Sequence, residues 1–145
     1  IDLFGPRGEA YLSAALVGDE LRLPPGADPS LVPPVPLLWS ALGVLRPPPD
    51  AALIRAARAA DGVELAYGRG QGLWRFEVVG GNLVEALWEG AGAGRHSVTL
   101  EPGSGALPVR AAYRDWLAYR ELTLELDREE HVEGFDPAIW TPGGR

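Results

Sequence analysis

His96 and Ser97 are the residues in this chain whose types most directly suggest catalysis. A histidine beside a serine could provide a general base and a nucleophile. However, both lie in an alternating run that is typical of a strand, where adjacent side chains point to opposite faces of the sheet. The two side chains therefore cannot pair directly, and we interpret them as a half-buried strand histidine and a surface serine.

The second histidine, His131, gives no stronger indication of chemistry. It follows Arg128-Glu129-Glu130, a charged run that is typical of a solvated loop or strand end. Two histidines without a carboxylate constellation do not predict a zinc site. We interpret Glu129 and Glu130 as solubilising charges and predict neither a metal nor a cofactor.

The glycine-rich run Gly68-Arg69-Gly70-Gln71-Gly72 resembles a phosphate-binding loop only in composition. It lies between two strand-like segments and does not precede a helix, so it lacks the helix N-terminus that phosphate-binding loops use. We predict a hairpin turn here. The sequence therefore predicts a protein that is not an enzyme, and ester hydrolysis stays a third alternative that a simple assay would test.

Composition narrows the class of protein. The chain has 145 residues, 46% of them hydrophobic, which predicts a single domain over residues 1–145 with a core of its own. A net charge of −7 argues against a nucleic-acid partner. There is no cysteine, no methionine and no lysine. The first residue, Ile1, suggests that an N-terminal helix and the first strands precede this chain, and the arginine and proline usage favours a thermophilic source or a GC-rich genome.

Alternation with a period of two predicts most of the elements. In the last third, Leu122 and Leu124 alternate with Thr123 and Glu125, and a matching run over 107–114 precedes them, with a break near Asp115. The two runs predict an antiparallel meander. Further strands are predicted on both sides of a Gly80-Gly81-Asn82 hairpin turn, and from residue 63 onward the chain is predicted to be all strand.

Two short helices are predicted between the strands. The segment 37–45 is strongly apolar and follows Pro36, while Asp50 would cap a second helix that extends to Ala60. The proline-rich segment 24–36 is predicted to be an extended loop without a helix. The fold class is therefore predicted to be α+β and mainly β: a strongly curved antiparallel sheet, or incomplete barrel, with two short helices that form a lid.

Large apolar side chains suggest an interior that two helices cannot fill. Such a barrel either holds a ligand or is sealed by its own side chains. The ten residues that we predict to line an apolar ligand cavity are Trp39, Leu42, Trp74, Phe76, Val84, Trp88, Val98, Leu100, Leu122 and Leu124.

The order of these features resembles the lipoprotein-carrier superfamily, the Lol-type proteins and their outer-membrane lipoprotein relatives. The motifs that carry the resemblance are Leu3-Phe4-Gly5-Pro6-Arg7-Gly8, the helix with Trp39 followed by Gly43-Val44-Leu45-Arg46-Pro47, Trp74-Arg75-Phe76, Leu107-Pro108-Val109-Arg110, the strand 122–126, and Phe135-Asp136-Pro137. The resemblance implies an incomplete barrel, closed by a helical lid, whose apolar cavity takes acyl chains. One departure is Arg7, which stands where the outer-membrane member has an exposed hydrophobic residue.

Two functions are consistent with these observations. The first is non-enzymatic binding or transport of lipid or lipoprotein acyl chains in a bacterial envelope, in the periplasm or on the periplasmic face of the outer membrane. The partners would then be acyl chains or lipoproteins, with membrane contact through an N-terminal anchor outside this chain. The alternative is an envelope scaffold or assembly lipoprotein with a filled core that docks a partner protein.

Overall fold

The computed structural model of this chain describes residues 1–92, 94–131 and 133–142. The fold is mainly β, and the chain divides into two units. One unit comprises Ile1–Val35 with Glu129–Arg145, and the other comprises Pro36–Arg128.

The first unit is built from short hairpins. Strands β1 (Asp2–Phe4) and β2 (Ala10–Ser13) pair antiparallel, as do β3 (Ala15–Val17) and β4 (Glu20–Arg22). Short 3-10 helices follow at Pro29–Leu31 and Pro137–Trp140. Each is capped by an aspartate, Asp28 or Asp136, that accepts a hydrogen bond from a backbone amide two residues later.

The second unit contains an antiparallel sheet of seven strands. Its strands are β5 (Ala52–Arg58), β6 (Gly62–Arg69), β7 (Gly72–Val79), β8 (Asn82–Gly90), β9 (Gly94–Glu101), β10 (Arg110–Asp115) and β11 (Arg120–Glu125). Each strand pairs with its neighbour in sequence, so the order across the sheet is β11-β10-β9-β8-β7-β6-β5. The sheet does not close, and β5 and β11 are its edges.

Glycine turns set the register of the central hairpins. Gly80 and Gly81 join β7 to β8, and their φ angles of 58° and 85° are the left-handed values that a two-residue hairpin turn requires. The hairpin turns predicted at Gly80-Gly81-Asn82 and within residues 68–72 are confirmed, although the turns themselves are only Gly80-Gly81 and Gly70-Gln71, and the antiparallel pair of β10 and β11 is also confirmed.

One α-helix, α1 (Val35–Ala41), is present in the described residues. It starts earlier and ends earlier than the predicted helix over 37–45. Gly43, at a φ of 78°, follows the last turn and ends the helix in a left-handed conformation that suits glycine. The segment 24–36 is also not wholly extended, because it contains the Pro29–Leu31 turn and the start of α1.

The predicted second helix, from Asp50 to Ala60, is wrong. Residues Ala52–Arg58 form strand β5, which pairs antiparallel with β6 through a register shift near Ile54. Alanine, leucine and arginine favour helix by intrinsic propensity, but pairing with an existing sheet edge overrides that weak preference. The sheet therefore extends by one strand where a lid helix was expected.

Candidate functional site

One face of the seven-stranded sheet carries most of its buried large apolar side chains, and we call it the apolar face. Register aligns Trp74 of β7 with Trp88 of β8 and with His96 of β9. A second row aligns Phe76, Ala86 and Val98 in the same way. The rings of Trp74 and Trp88 lie 5.7 Å apart, and those of Trp88 and His96 lie 4.9 Å apart. An aromatic row therefore crosses the apolar face.

Helix α1 covers the centre of the apolar face. Leu37 of the helix, Phe76 and Val98 each have 0% exposure and belong to one core cluster. Ala41, one turn after Leu37 on the helix, also packs against this cluster, as does Leu45 beyond the end of the helix. The centre of the apolar face is thus filled by the protein's own side chains.

Six of the ten predicted cavity residues lie together at this centre or against it. Trp74, Phe76, Val98 and Leu100 are buried members of the core cluster, while Trp88 and Leu122 are partly buried against it. Trp39 is half-buried on α1 and Leu42 is half-buried just beyond its end, and the guanidinium of Arg46 lies 5.3 Å from the Trp39 ring.

The other two predicted residues lie elsewhere. A register shift between Glu77 and Val78 places Leu83 opposite Val78, so Leu83 joins the core cluster in place of the predicted Val84. Leu124 shares the apolar face with Ala111, its partner on β10, but is 45% exposed at the sheet edge. Simple alternation cannot detect such a shift, because one extra residue in a strand moves every following side chain of that strand to the opposite face of the sheet.

The periphery of the apolar face stays accessible. Leu53 on β5, Val63 on β6 and Leu124 on β11 are 53%, 40% and 45% exposed, and we call these three residues the rim. Their register partners, Tyr67, Val78 and Ala111, all face the core. A helix of seven residues is too short to cover a sheet of seven strands, so apolar area remains on both sides of it.

A polar cluster ends the aromatic row on β9, β10 and β11. The Nδ1 atom of His96 and the hydroxyl of Tyr113 share a hydrogen bond of 2.7 Å. Burial, followed by the charge of Asp115, raises the pKa of Tyr113 to about 12, so this hydroxyl stays protonated at neutral pH. The tyrosine can therefore donate to the histidine.

Asp115 anchors the same cluster and is only 5% exposed. Burial alone would raise its pKa. Hydrogen bonds from the Ala118 amide, the Arg120 guanidinium and the Leu117 amide, together with the charge of His96, outweigh burial, so the pKa of Asp115 lies below its ordinary value. Sequence reasoning missed this residue. The sequence feature that could have revealed it is its place two positions after Tyr113, which puts a carboxylate on the apolar face of the strand.

His96 and Ser97 point to different faces of the sheet, as expected for adjacent strand residues, but Ser97 is only 5% exposed, so the interpretation of it as a surface serine is wrong. His96 contacts Tyr113 on the apolar face, whereas the Ser97 hydroxyl accepts a 3.3 Å hydrogen bond from Trp116 Nε1 on the other side. Within the residues that the structure describes, no group of three or more histidine or acidic residues is arranged to hold a metal ion.

The opposite face of the sheet, which we call the charged face, carries arginine–glutamate pairs. Arg55 lies 2.8 Å from Glu64, Arg75 lies 3.0 Å from Glu89, and Arg114 lies 2.7 Å from Glu121. A recess of about 140 Å³ lies among the side chains at the middle of this face, including Arg75, Glu77 and Glu85. Cross-strand pairs of this kind keep a face hydrated and are individually weak.

The first unit has a larger open cleft of its own, of about 900 Å³. Its lining combines apolar side chains, among them Leu12, Leu31 and Ile139, with the polar Asp2 and Asp28. That volume falls within the usual range of small-molecule sites.

Among the described residues, no helix combines the length and apolarity needed to cross a membrane. Comparisons of the chain with protein-family models, with curated proteins and with solved structures gave no match.

Proposed function

We propose that this chain is a non-enzymatic binder of lipid or lipoprotein acyl chains in a bacterial cell envelope. The observation that carries the proposal is the incomplete cover of the apolar face. Helix α1 seals its centre, whereas the rim residues Leu53, Val63 and Leu124 stay 40–53% exposed on the same face. Monomeric proteins seldom leave such a face open without a use for it.

An acyl chain suits this surface because it needs apolar area and no specific polar partner. Burial of apolar surface contributes roughly 25 cal/mol per Å², so a chain lying over several side chains is held by area alone. Leu122, partly buried on β11, offers that area on the same face two positions from Leu124, and Trp88 on β8 adds partly buried ring surface further across the sheet. In this proposal the sheet curves around the ligand as an incomplete barrel, and α1 moves aside as a lid when more of the chain enters.

The resemblance to the lipoprotein carriers supports the same function and the periplasmic location. It rests on short motifs, among them Trp74-Arg75-Phe76 on β7. Trp74 and Phe76 of this motif lie at the centre of the apolar face, where the cargo of that superfamily would be held, and Arg75 lies between them on the charged face.

The direct test is binding of a fluorescent polyene fatty acid, cis-parinaric acid, whose emission rises in apolar sites. We expect the wild-type chain to bind it and the Leu124→Glu variant to bind at least about tenfold more weakly, because a carboxylate at the rim would oppose burial of the chain. Thr123→Glu is the matched control: it adds the same charge one position away on the charged face, and binding should persist.

Two outcomes would overturn the assignment to the apolar face. One is equal binding by Leu124→Glu and the wild type. The other is loss of binding in Leu12→Glu, which adds the charge to the cleft of the first unit, while Leu124→Glu keeps it. Native mass spectrometry of the gently purified protein, with solvent extraction, would identify any natural cargo.

The alternative, an envelope scaffold that docks a partner protein, is favoured by one observation. The centre of the apolar face is filled, since Leu37, Phe76 and Val98 are fully buried. A partner would then add to the open edge at β5, as extended segments add to exposed strands. A clean apo mass together with no response to cis-parinaric acid would favour this function over lipid binding.

A further inference from the structure

The turn between β10 and β11, residues 116–119, presents large apolar side chains to solvent, and we call it the tip. Trp116 is 50% exposed, Leu117 is 65% exposed and Tyr119 is 95% exposed. Turns are ordinarily polar, with glycine, asparagine or aspartate at their strained positions. Apolar residues of this size at a turn therefore indicate a contact surface.

Hydrogen bonds to residues of β9 and β10 hold the backbone of the tip. The buried carboxylate of Asp115 accepts from the backbone amides of Leu117 and Ala118, at 3.0 and 2.9 Å, and from Arg120 at 3.0 Å. The backbone amide of Trp116 donates to the carbonyl oxygen of Arg95 at 3.0 Å. The apolar side chains are thus displayed by a preorganised turn, which lowers the entropic cost of binding.

Tyr119 has a strained backbone conformation. Its φ of 54° is left-handed, and among the described residues it is the only non-glycine with a positive φ. Glycine or asparagine would adopt this conformation with less strain. A fully exposed tyrosine at such a site gains nothing from the fold of this chain, which points to a role outside it.

From this geometry we propose that the tip inserts into the interfacial region of a lipid bilayer. Tryptophan and tyrosine favour that region because each combines an apolar ring with a polar group. The charges at the base of the tip are compensated, since Arg120 pairs with Asp115 and Arg114 pairs with Glu121. Arg95, whose guanidinium lies 5.6 Å from the Trp116 ring, pairs with Glu89 at 3.8 Å. The net charge of −7 opposes binding to anionic lipid, so the surface fits a zwitterionic bilayer.

The occupant is a bilayer and not a second protein because of the shape of the surface. Tyr119 is almost fully exposed, so it projects from the molecule and offers no concave or flat area for a partner to cover. Protein interfaces bury their anchor residues at the centre of an extended patch. This proposal stands independently of the acyl-chain site on the apolar face.

The experiment is flotation of the protein with phosphatidylcholine vesicles. We expect the double variant Leu117→Ser/Tyr119→Gly to bind about tenfold more weakly than the wild type, because it removes the two most exposed side chains of the tip. Glycine suits the left-handed position, so this variant should unfold at no lower temperature, and weak binding would not reflect unfolding. Phe4→Ser, which removes an apolar side chain of 63% exposure in the first unit, should bind as the wild type does.

Depth is measured with phosphatidylcholine brominated on its acyl chains, which quenches tryptophan on contact. Quenching should occur in the wild type and be strongly reduced in Trp116→Phe. Three results would overturn the proposal: no binding of the wild type to the vesicles, equal binding by the double variant, or loss of binding in Phe4→Ser. Tip-dependent self-association without vesicles would also overturn it, since the surface would then be used by a second copy.

Discussion

The two faces of the seven-stranded sheet consist of alternate residues of the same strands, yet their physical characters are opposite. On β7, Phe76 is fully buried under α1, while Arg75 and Glu77 on either side of it lie half-buried on the charged face. The apolar face gains free energy from burial, and the charged face offers only weak cross-strand pairs. Substitutions at the centre of the apolar face should therefore cost far more stability than substitutions of the charged side chains on the opposite face.

The largest expected difference is between neighbouring residues of β7. Phe76→Ala should lower the free energy of unfolding by about 3–5 kcal/mol, because it opens a cavity at a site of 0% exposure. Glu77→Ala should change it by less than about 0.5 kcal/mol. Urea denaturation followed by tryptophan fluorescence measures both. Comparable losses in the two variants would mean that the centre of the apolar face is not packed as described.

A smaller effect is expected at Asp115, which lies on the apolar face but is charged. Asp115→Asn should cost about 2 kcal/mol at neutral pH, because it weakens hydrogen bonds to the turn and removes the ion pair with Arg120. The measurement is urea denaturation at several pH values, with the exposed Asp61→Asn in the β5–β6 turn as a control.

The pH dependence follows from the lowered pKa of Asp115. Because that pKa is lower in the folded chain than in the unfolded chain, its stabilisation is complete above the unfolded value. The stabilisation is lost as the pH falls through the folded value. The gap between wild type and Asp115→Asn should thus be widest near neutral pH and close below about pH 4. A gap that stays constant with pH would contradict the role of the charge.

The fold could be predicted from sequence where the alternation typical of a strand had no competing helix propensity. From β6 to β9, alternation and glycine turns predicted both the strands and their hairpin order, although not the register shift between β7 and β8. Strand β5 was missed because Leu53, Arg55 and the alanines around them have good helix propensity, and only pairing with β6 decides their conformation. A sequence shows its local preferences, whereas this strand depends on a neighbour.

The candidate site could also be predicted only where local alternation determines which face a side chain occupies. Phe76 and Val98 follow from alternation, but Leu83 in place of Val84 depends on a register shift that no local pattern shows. The exposure of Leu124 follows from its place on the edge strand, and the length of α1 determines how much apolar area stays open. These are properties of the assembled sheet.

The smallest expected effect is a change in the free energy of unfolding on the charged face, and its sign is what tests the arrangement of charges there. Glu77 on β7 and Glu85 on β8 are direct register partners, and Glu64 on β6 is the other partner of Glu77. Like charges directly opposite each other destabilise a sheet, so Glu77→Gln should raise the free energy of unfolding by about 0.2–0.5 kcal/mol.

Glu121→Gln is the matched change at a glutamate that has a partner. Glu121 lies 2.7 Å from Arg114, and both side chains are about half exposed, so this substitution should lower stability by no more than about 0.5 kcal/mol. If Glu77→Gln raises the free energy of unfolding and Glu121→Gln lowers it, the contribution of the charged face to stability depends on how its charges are arranged and not on their number. If Glu77→Gln were destabilising instead, Glu77 would have a cationic partner in solution, and the recess beside it would be the place to look.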